Sequence, residues 1–393
     1  MKRKTSFLIV ISIVVGVVIA IDQFLNAQIS YLKTTKDLSQ YGKEYGDYIK
    51  DSSIIAKDIL DDENNLFLFG SSEMSINVEQ NSINLFPVKG AEYNVSCFGR
   101  GYVQNLQQTA YIGGGNLKDD QKIAYIISLQ WFDNSDGVKA DKFAANFSEI
   151  QFYNFLNNPN ISEKNKQYYA KRVYSLLEQT DKYQPEALYA YLYSDSNCMK
   201  KLLMFVMSPY YKISNWLSKI KDKALIYEEM KKLPEKKQDT ELQEVDWNEE
   251  ESKLNKEEEE LESTNEFHLK DEYYNKNIKD HLDYLNGYLK DSDLLSSVEM
   301  EDFKFFLSVC DDLNIKPYII MPPVNGWYYD YLGLNKNERN SYYNEIDKLC
   351  REHGLDVLDL REHDYEQGFL VDTMHLGKEG WLKVSEGIYN HFN

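Results

Sequence analysis

Five short apolar runs recur along the chain, each closed by glycine, proline or a polar cluster. Asn65 to Phe69, Glu92 to Cys97, Lys122 to Leu129, Lys316 to Met321 and Leu355 to Leu360 read as buried strands. Between them the apolar spacing changes to that of helices. Val103, Leu106 and Ala110 point inward after the second run, and Phe303, Phe306, Leu307, Cys310 and Leu313 share one face before the fourth. A helix from about Lys336 to His353 turns Tyr342, Ile346, Leu349 and Cys350 inward and stops at Gly354, and Lys378 to Phe392 reads as the closing helix. Strands alternating with helices predict a mostly parallel sheet in a three-layer α/β/α sandwich.

Other segments stand outside this rhythm. Thr5 to Ile21 is apolar all round and carries no charge until Asp22, while Met1-Lys2-Arg3-Lys4 before it is basic. Such a stretch predicts a transmembrane helix with its N-terminus on the cytoplasmic side and the main domain outside. No small-x-small site follows it, so an uncleaved single-pass anchor over 1–27 is expected rather than a signal peptide. Residues 28–64 read as a polar, helical stalk leading to the α/β domain at 65–393. About 141–298 reads as a helical insertion in that domain, in which Leu202 to Met207 is expected to be a buried helix, with a membrane-contacting patch as the alternative. Within it, 228–265 is acidic and of low complexity: residues 228–262 hold 15 Asp and Glu against 6 Lys and Arg. That balance predicts a solvated helix or a mobile loop.

The net charge of −20 argues against nucleic acid as a partner. Cys97, Cys198, Cys310 and Cys350 lack metal-ligand spacing, and no metal or cofactor is expected. Phe98-Gly99-Arg100-Gly101 lacks the third glycine of a dinucleotide site, and Gly113-Gly114-Gly115 lacks the lysine of a phosphate loop. The 31 tyrosines suit polar–apolar surfaces such as those facing an envelope or glycan.

Candidate chemistry lies in two distant loops. Gly70-Ser71-Ser72-Glu73 follows the first strand, where a glycine turn and a helix start would set a serine at the mouth of the sheet. A turn with an N-cap is the plainer alternative. A serine needs a base, and the base an orienting group. Asp372 and His375 supply both within one turn before the closing helix, with His363-Asp364 as a rival pair. Gln130, beside Trp131, stands at the C-terminal end of the third strand, where open α/β sheets place their sites.

Serine after the first strand, an amide after the third and Asp-x-x-His before the last helix resemble the SGNH (GDSL-type) hydrolases. That resemblance assigns Ser72 as nucleophile, His375 as base, Asp372 as its orienting partner, and Gly99 (with Gly101 as an alternative) and Gln130 to an oxyanion hole. Gln130 stands where most of those enzymes have asparagine. Phe-Gly-Ser-Ser-Glu at 69–73, Gln-Trp-Phe at 130–132, Pro-Pro-Val-Asn-Gly-Trp-Tyr at 322–328 and Asp-Thr-Met-His-Leu-Gly-x-x-Gly-Trp at 372–381 resemble a narrower group, the DltD family of D-alanyl-lipoteichoic acid biosynthesis. The resemblance implies a protein at the outer face of a Gram-positive cell membrane that helps esterify teichoic acid with D-alanine. Its implied partners are a membrane-bound O-acyltransferase, a D-alanyl carrier protein route and the polymer itself. Ser72 is then expected to carry D-alanine as an ester, with Ser71 as the alternative nucleophile, and Trp131 to contact substrate. Glu73 is read as a contact for the ammonium group, a first-turn carboxylate favoured by the helix dipole being the plainer alternative. Alternative readings are a non-catalytic docking module in the same pathway and an envelope glycan O-acetyl esterase.

Overall fold

A computed structural model describes residues 2–61, 64–115, 117, 121–236, 241–258 and 263–393. Five strands form one parallel sheet: β1 (Asn65–Phe69), β2 (Asn94–Phe98), β3 (Lys122–Ile126), β4 (Tyr318–Met321) and β5 (Val357–Asp359), in the order β2-β1-β3-β4-β5. The longer helices are α1 (Lys2–Thr35), α2 (Asn105–Gly113), α3 (Glu149–Asn157), α4 (Glu163–Leu177), α5 (Gln184–Tyr193), α6 (Cys198–Lys232), α7 (Trp247–Glu258), α8 (Val298–Leu313), α9 (Lys336–Glu352) and α10 (Lys378–Phe392).

The apolar runs are continuous because the sheet is covered on both sides. Side chains alternate between two cores. Phe67, Phe69, Phe98, Ile123, Tyr125 and Ile319 meet Phe303 and Phe306 of α8 and Ile346 of α9. Leu66, Leu68, Val95, Ala124, Ile126 and Ile320 meet Trp381, Val384 and Ile388 of α10. Each such fully buried side chain contributes about 2 kcal/mol. The expected α/β sandwich is therefore present. β3 is shorter than expected: Leu129–Trp131 forms a single 3-10 turn, so Gln130 leaves the strand direction as the chain exits the sheet.

Four sequence expectations take a different physical form. The segment read as a stalk lies against the domain: Leu38, Tyr41, Ala56, Ile59 and Leu60 join the core, and Lys50 and Asp51 are buried. The tyrosines fill the interior as well as the surface. Tyr153, Tyr169, Tyr189 and Tyr211 build the core of the helical insertion, where their rings pack edge-on and tilted. In the acidic stretch, α7 buries Leu254 and docks on α10 through the Trp247–Tyr389 ring contact and a Lys383–Glu251 ion pair of 2.8 Å. Residues 237–240 and 259–262 of that stretch lie outside the described residues. Leu202 to Met207 is not a buried helix. Only Met204 and Met207 pack inward, while Leu202, Leu203, Phe205 and Val206 are exposed, because α6 lies on the body by one face.

α1 is long and apolar enough to cross a membrane over Ile9–Thr35. Ile9 to Phe24 displays its apolar side chains outward, and only from Leu25, Ile29 and Leu32 does the helix enter the protein.

Candidate active site

The order β2-β1-β3 reverses direction between β1 and β3, and the C-terminal ends of neighbouring strands diverge there to leave a crevice. The serine loop sits at this point. Gly70 donates its N–H to the Phe98 carbonyl (3.2 Å), and its own carbonyl accepts from the Gln108 side chain. Gly99 packs directly on this turn. Its φ of +134° suits glycine, and a Cβ there would lie 1.9 Å from the Gly70 oxygen. Residues 72–75 form one 3-10 turn rather than the expected helix, so the local donors are a few turn N–H groups without a macrodipole behind them.

The two serines part ways. The Ser71 hydroxyl donates to the Arg100 carbonyl (3.1 Å) and is buried. The Ser72 Oγ lies 3.0 Å from His375 Nε2. Glu73 is fully buried. One of its oxygens accepts from the Ser71 N–H (3.0 Å) and the other from Gln130 Nε2 (2.8 Å). The carboxylate thus ties the exits of β1 and β3 together.

The histidine comes from the loop ahead of α10. Asp372 Oδ1 accepts the N–H groups of Met374 (2.9 Å) and His375 (2.8 Å), and Oδ2 lies 2.7 Å from His375 Nδ1. Val371 N–H donates to the His375 carbonyl (2.9 Å), and Asn325 N–H, after β4, donates to the Thr373 carbonyl (2.9 Å). Gly377 approaches so closely that a Cβ would lie 2.6 Å from the Gly368 oxygen. These constraints hold the ring between carboxylate and hydroxyl. Burial disfavours the His375 cation, but the hydrogen bond and charge of Asp372, with Glu73 beyond it, outweigh that and hold its pKa above the ordinary 6.5. Burial likewise works against the Asp372 anion, yet His375 and the two backbone N–H groups hold its pKa below 3.8. The rival pair is separated: His363 stacks on Phe369 (4.2 Å between centroids) and bonds Glu366, while Asp364 binds Arg339 (2.9 Å).

A cavity of about 910 Å3 opens over Ser72 and His375. Gln130, Trp131 and Gly101 line it, whereas Gly99 and Glu73 lie beneath. Trp131 is braced edge-on against Tyr125 (6.4 Å). The far wall carries Lys139 and Lys142, and Lys142 also sits over the Tyr102 ring (4.6 Å). Asp133 lines the cavity too, its pKa raised by burial to about 6, with Lys139 opposing the shift.

The family model described as DltD protein matches residues 42–393. The chain belongs to the DltD family. It is 28% identical to Protein DltD of Bacillus subtilis (strain 168) over 333 residues, covering 84% of this chain and 83% of that one. It is also 24% identical to Protein DltD of Staphylococcus aureus (strain NCTC 8325 / PS 47) over 271 residues, covering 69% and 66%.

The DltD match spans both loops of the candidate site and the lysine-bearing wall. Sequence reasoning missed Asp133, Lys139 and Lys142. Their signal was slight: they follow Gln130-Trp131 within a dozen residues, at the exit of the strand that borders the crevice.

Proposed function

We propose that this DltD-family chain transfers D-alanyl groups to teichoic acid through an ester on Ser72. DltD-family proteins act in the D-alanylation of teichoic acid. The observation that carries the finer reading is the relay of Ser72 Oγ, His375 and Asp372, at 3.0 and 2.7 Å, opening on a cavity large enough for a polymer segment.

With Nδ1–H donated to Asp372, Nε2 is the acceptor that faces the serine hydroxyl. His375 removes the Ser72 proton as Oγ attacks the donor carbonyl, then returns that proton to the departing thiolate or alkoxide. A polyol hydroxyl of teichoic acid next attacks the seryl ester. Its proton passes to Nε2 and then to Ser72 Oγ, releasing the new D-alanyl ester. The tetrahedral oxyanion is held by the N–H of Ser72, the Gln130 amide and a backbone N–H of the β2 loop. We assign that third donor to Gly101, which lines the cavity, rather than Gly99 beneath it. An amide nitrogen carries two protons. Glu73 takes one from Gln130 and so aims the other. In this reading Glu73 positions the oxyanion hole, and Asp133 in the cavity wall receives the D-alanyl ammonium group. Lys139 and Lys142 offset the negative charge of the protein toward a polyphosphate chain.

The anchor reading of α1 sets the domain at the outer membrane face. A membrane-bound O-acyltransferase fed by a D-alanyl carrier protein is then the natural neighbour. A fluorophosphonate probe is expected to label the wild-type chain and not Ser72→Ala. An unlabelled wild type, or equal labelling of Ser72→Ala, would replace this mechanism with a docking role.

A further inference from the structure

The helix α6 carries a feature that acyl transfer does not use. Met199, Leu203, Val206, Tyr210, Ile213 and Leu217 follow one another at alternating steps of four and three, and each is between 46% and 66% exposed. At 100° per residue they fall within an arc of about 80°. Leu202, at 58% exposed, adds to its edge. An adjoining face, about 80–140° round the helix from the stripe's centre, packs on the helical insertion through Met204, Met207 and Tyr211. Residues 198–221 hold five lysines and no Asp or Glu, in a chain of net charge −20. Lys201, Lys212 and Lys219 are exposed and cluster about 140–160° round the helix from the centre of the apolar stripe, on the face turned away from it.

Its position relative to α1 indicates what covers the stripe. Asp22 pairs with Lys223 (2.5 Å), Phe24 meets the Tyr227 ring (6.1 Å) and Lys36 bridges to Glu235 (2.7 Å). The residue numbers rise together, so the two helices point the same general way through this contact, and since Ile9 to Ile21 of α1 stays exposed they part upstream of it. Upstream of Lys223, α6 therefore heads toward the same end of the molecule as the apolar Ile9–Ile21 part of α1. The Asp22–Lys223 pair falls where the uncharged stretch of α1 ends.

We infer that the N-terminal half of α6 lies in the membrane interface, its apolar stripe among the acyl chains and its net positive charge drawn to anionic headgroups. One-sided apolarity combined with lysines and no acids is the chemistry of an interfacial helix rather than of a spanning one. The contact makes α1 and α6 two points of attachment. It fixes the tilt of the domain, and hence the height of the Ser72 cavity above the lipid. This inference rests on the anchor reading of α1, and the test separates the two.

The full chain is reconstituted in vesicles of phosphatidylcholine with phosphatidylglycerol. Single spin labels are placed at Val14, Val206, Ile213 and Asn337 on a Cys198→Ser background, the other cysteines being buried. Collision with oxygen and with a water-soluble nickel complex is then measured. Val14 in water would sink the anchor reading itself. With Val14 in lipid and Asn337 in water, the expected result is high oxygen and low nickel access at Val206 and Ile213. Replacing Lys201, Lys212 and Lys219 by Gln should shift the balance toward the water-exposed form by about fivefold per lysine. Full nickel access at Val206 and Ile213 in these vesicles overturns the inference. So does protection that appears only when a membrane protein is co-reconstituted, which would make the occupant a protein. Near-UV circular dichroism of each labelled chain checks that the fold is retained.

Discussion

Replacing Asp372 by Asn tests how the imidazole is oriented. In the wild type Oδ1 accepts two backbone N–H groups and Oδ2 faces Nδ1 at 2.7 Å. Asparagine keeps its single oxygen on the two backbone donors, where its loss would leave both unpaired. Its amide NH2 then faces Nδ1. A donor facing Nδ1 forces the ring proton onto Nε2, the atom 3.0 Å from Ser72 Oγ. The ring is then held in the tautomer that has no free lone pair for the serine proton. Where a buried aspartate serves this way, the substitution lowers turnover by about 10^4, or about 5.5 kcal/mol of barrier. The assay is the rate of fluorophosphonate labelling, read with D-alanyl transfer, across pH. His375 titrates above 6.5 in the wild type, so the acid limb of kcat/KM should lie above pH 6.5. In Asp372→Asn, burial acts without the carboxylate, and residual activity should show that limb moved downward. The sign for stability agrees. A raised histidine pKa stabilises the fold below 6.5, and this contribution fades as pH rises through the folded value. Asp372→Asn labelling within tenfold of wild type, beside an inactive His375→Ala, would refute the orienting role.

Three further outcomes follow from the same geometry. Ser71→Ala loses one hydrogen bond to Arg100, about 1 kcal/mol of stability, and should keep its labelling rate, checked by urea midpoint and probe kinetics. Gly99→Ala puts a Cβ on the Gly70 oxygen at a φ of +134° and should cost about 2–5 kcal/mol in denaturant unfolding. Lys139→Gln and Lys142→Gln should each raise KM for a polyanionic acceptor about fivefold at low salt with kcat retained, the effect vanishing at high salt.

The strands and the two loops were legible because each carries a local cause. A parallel strand buried on both faces must be a continuous apolar run, and glycine marks the places where Gly99 and Gly377 let backbones come together. The Asp372–His375 spacing is itself a turn geometry, so it could be read without the fold. Depth was harder to read. Glu73 follows the serines, and a carboxylate there has the same letters whether it faces a cavity or lies beneath it; only the Gln130 contact across two strands decides. Leu202 to Met207 illustrates the same limit, since an apolar run does not say which molecule covers it. Lys139 and Lys142 reach the cavity because the start of the short helix Ala140–Asn146 is packed at its wall, a consequence of tertiary packing that no local period encodes.

The central claim is that an acyl group resides on Ser72. The most direct measurement is the D-alanyl ester content of the envelope in cells whose sole copy of this protein is Ser72→Ala, at a protein level matched to wild type. Loss of the ester to the level of a strain lacking the protein is the expected result. Wild-type ester content with Ser72→Ala would contradict the account, since an alanine side chain has no oxygen on which to carry the group.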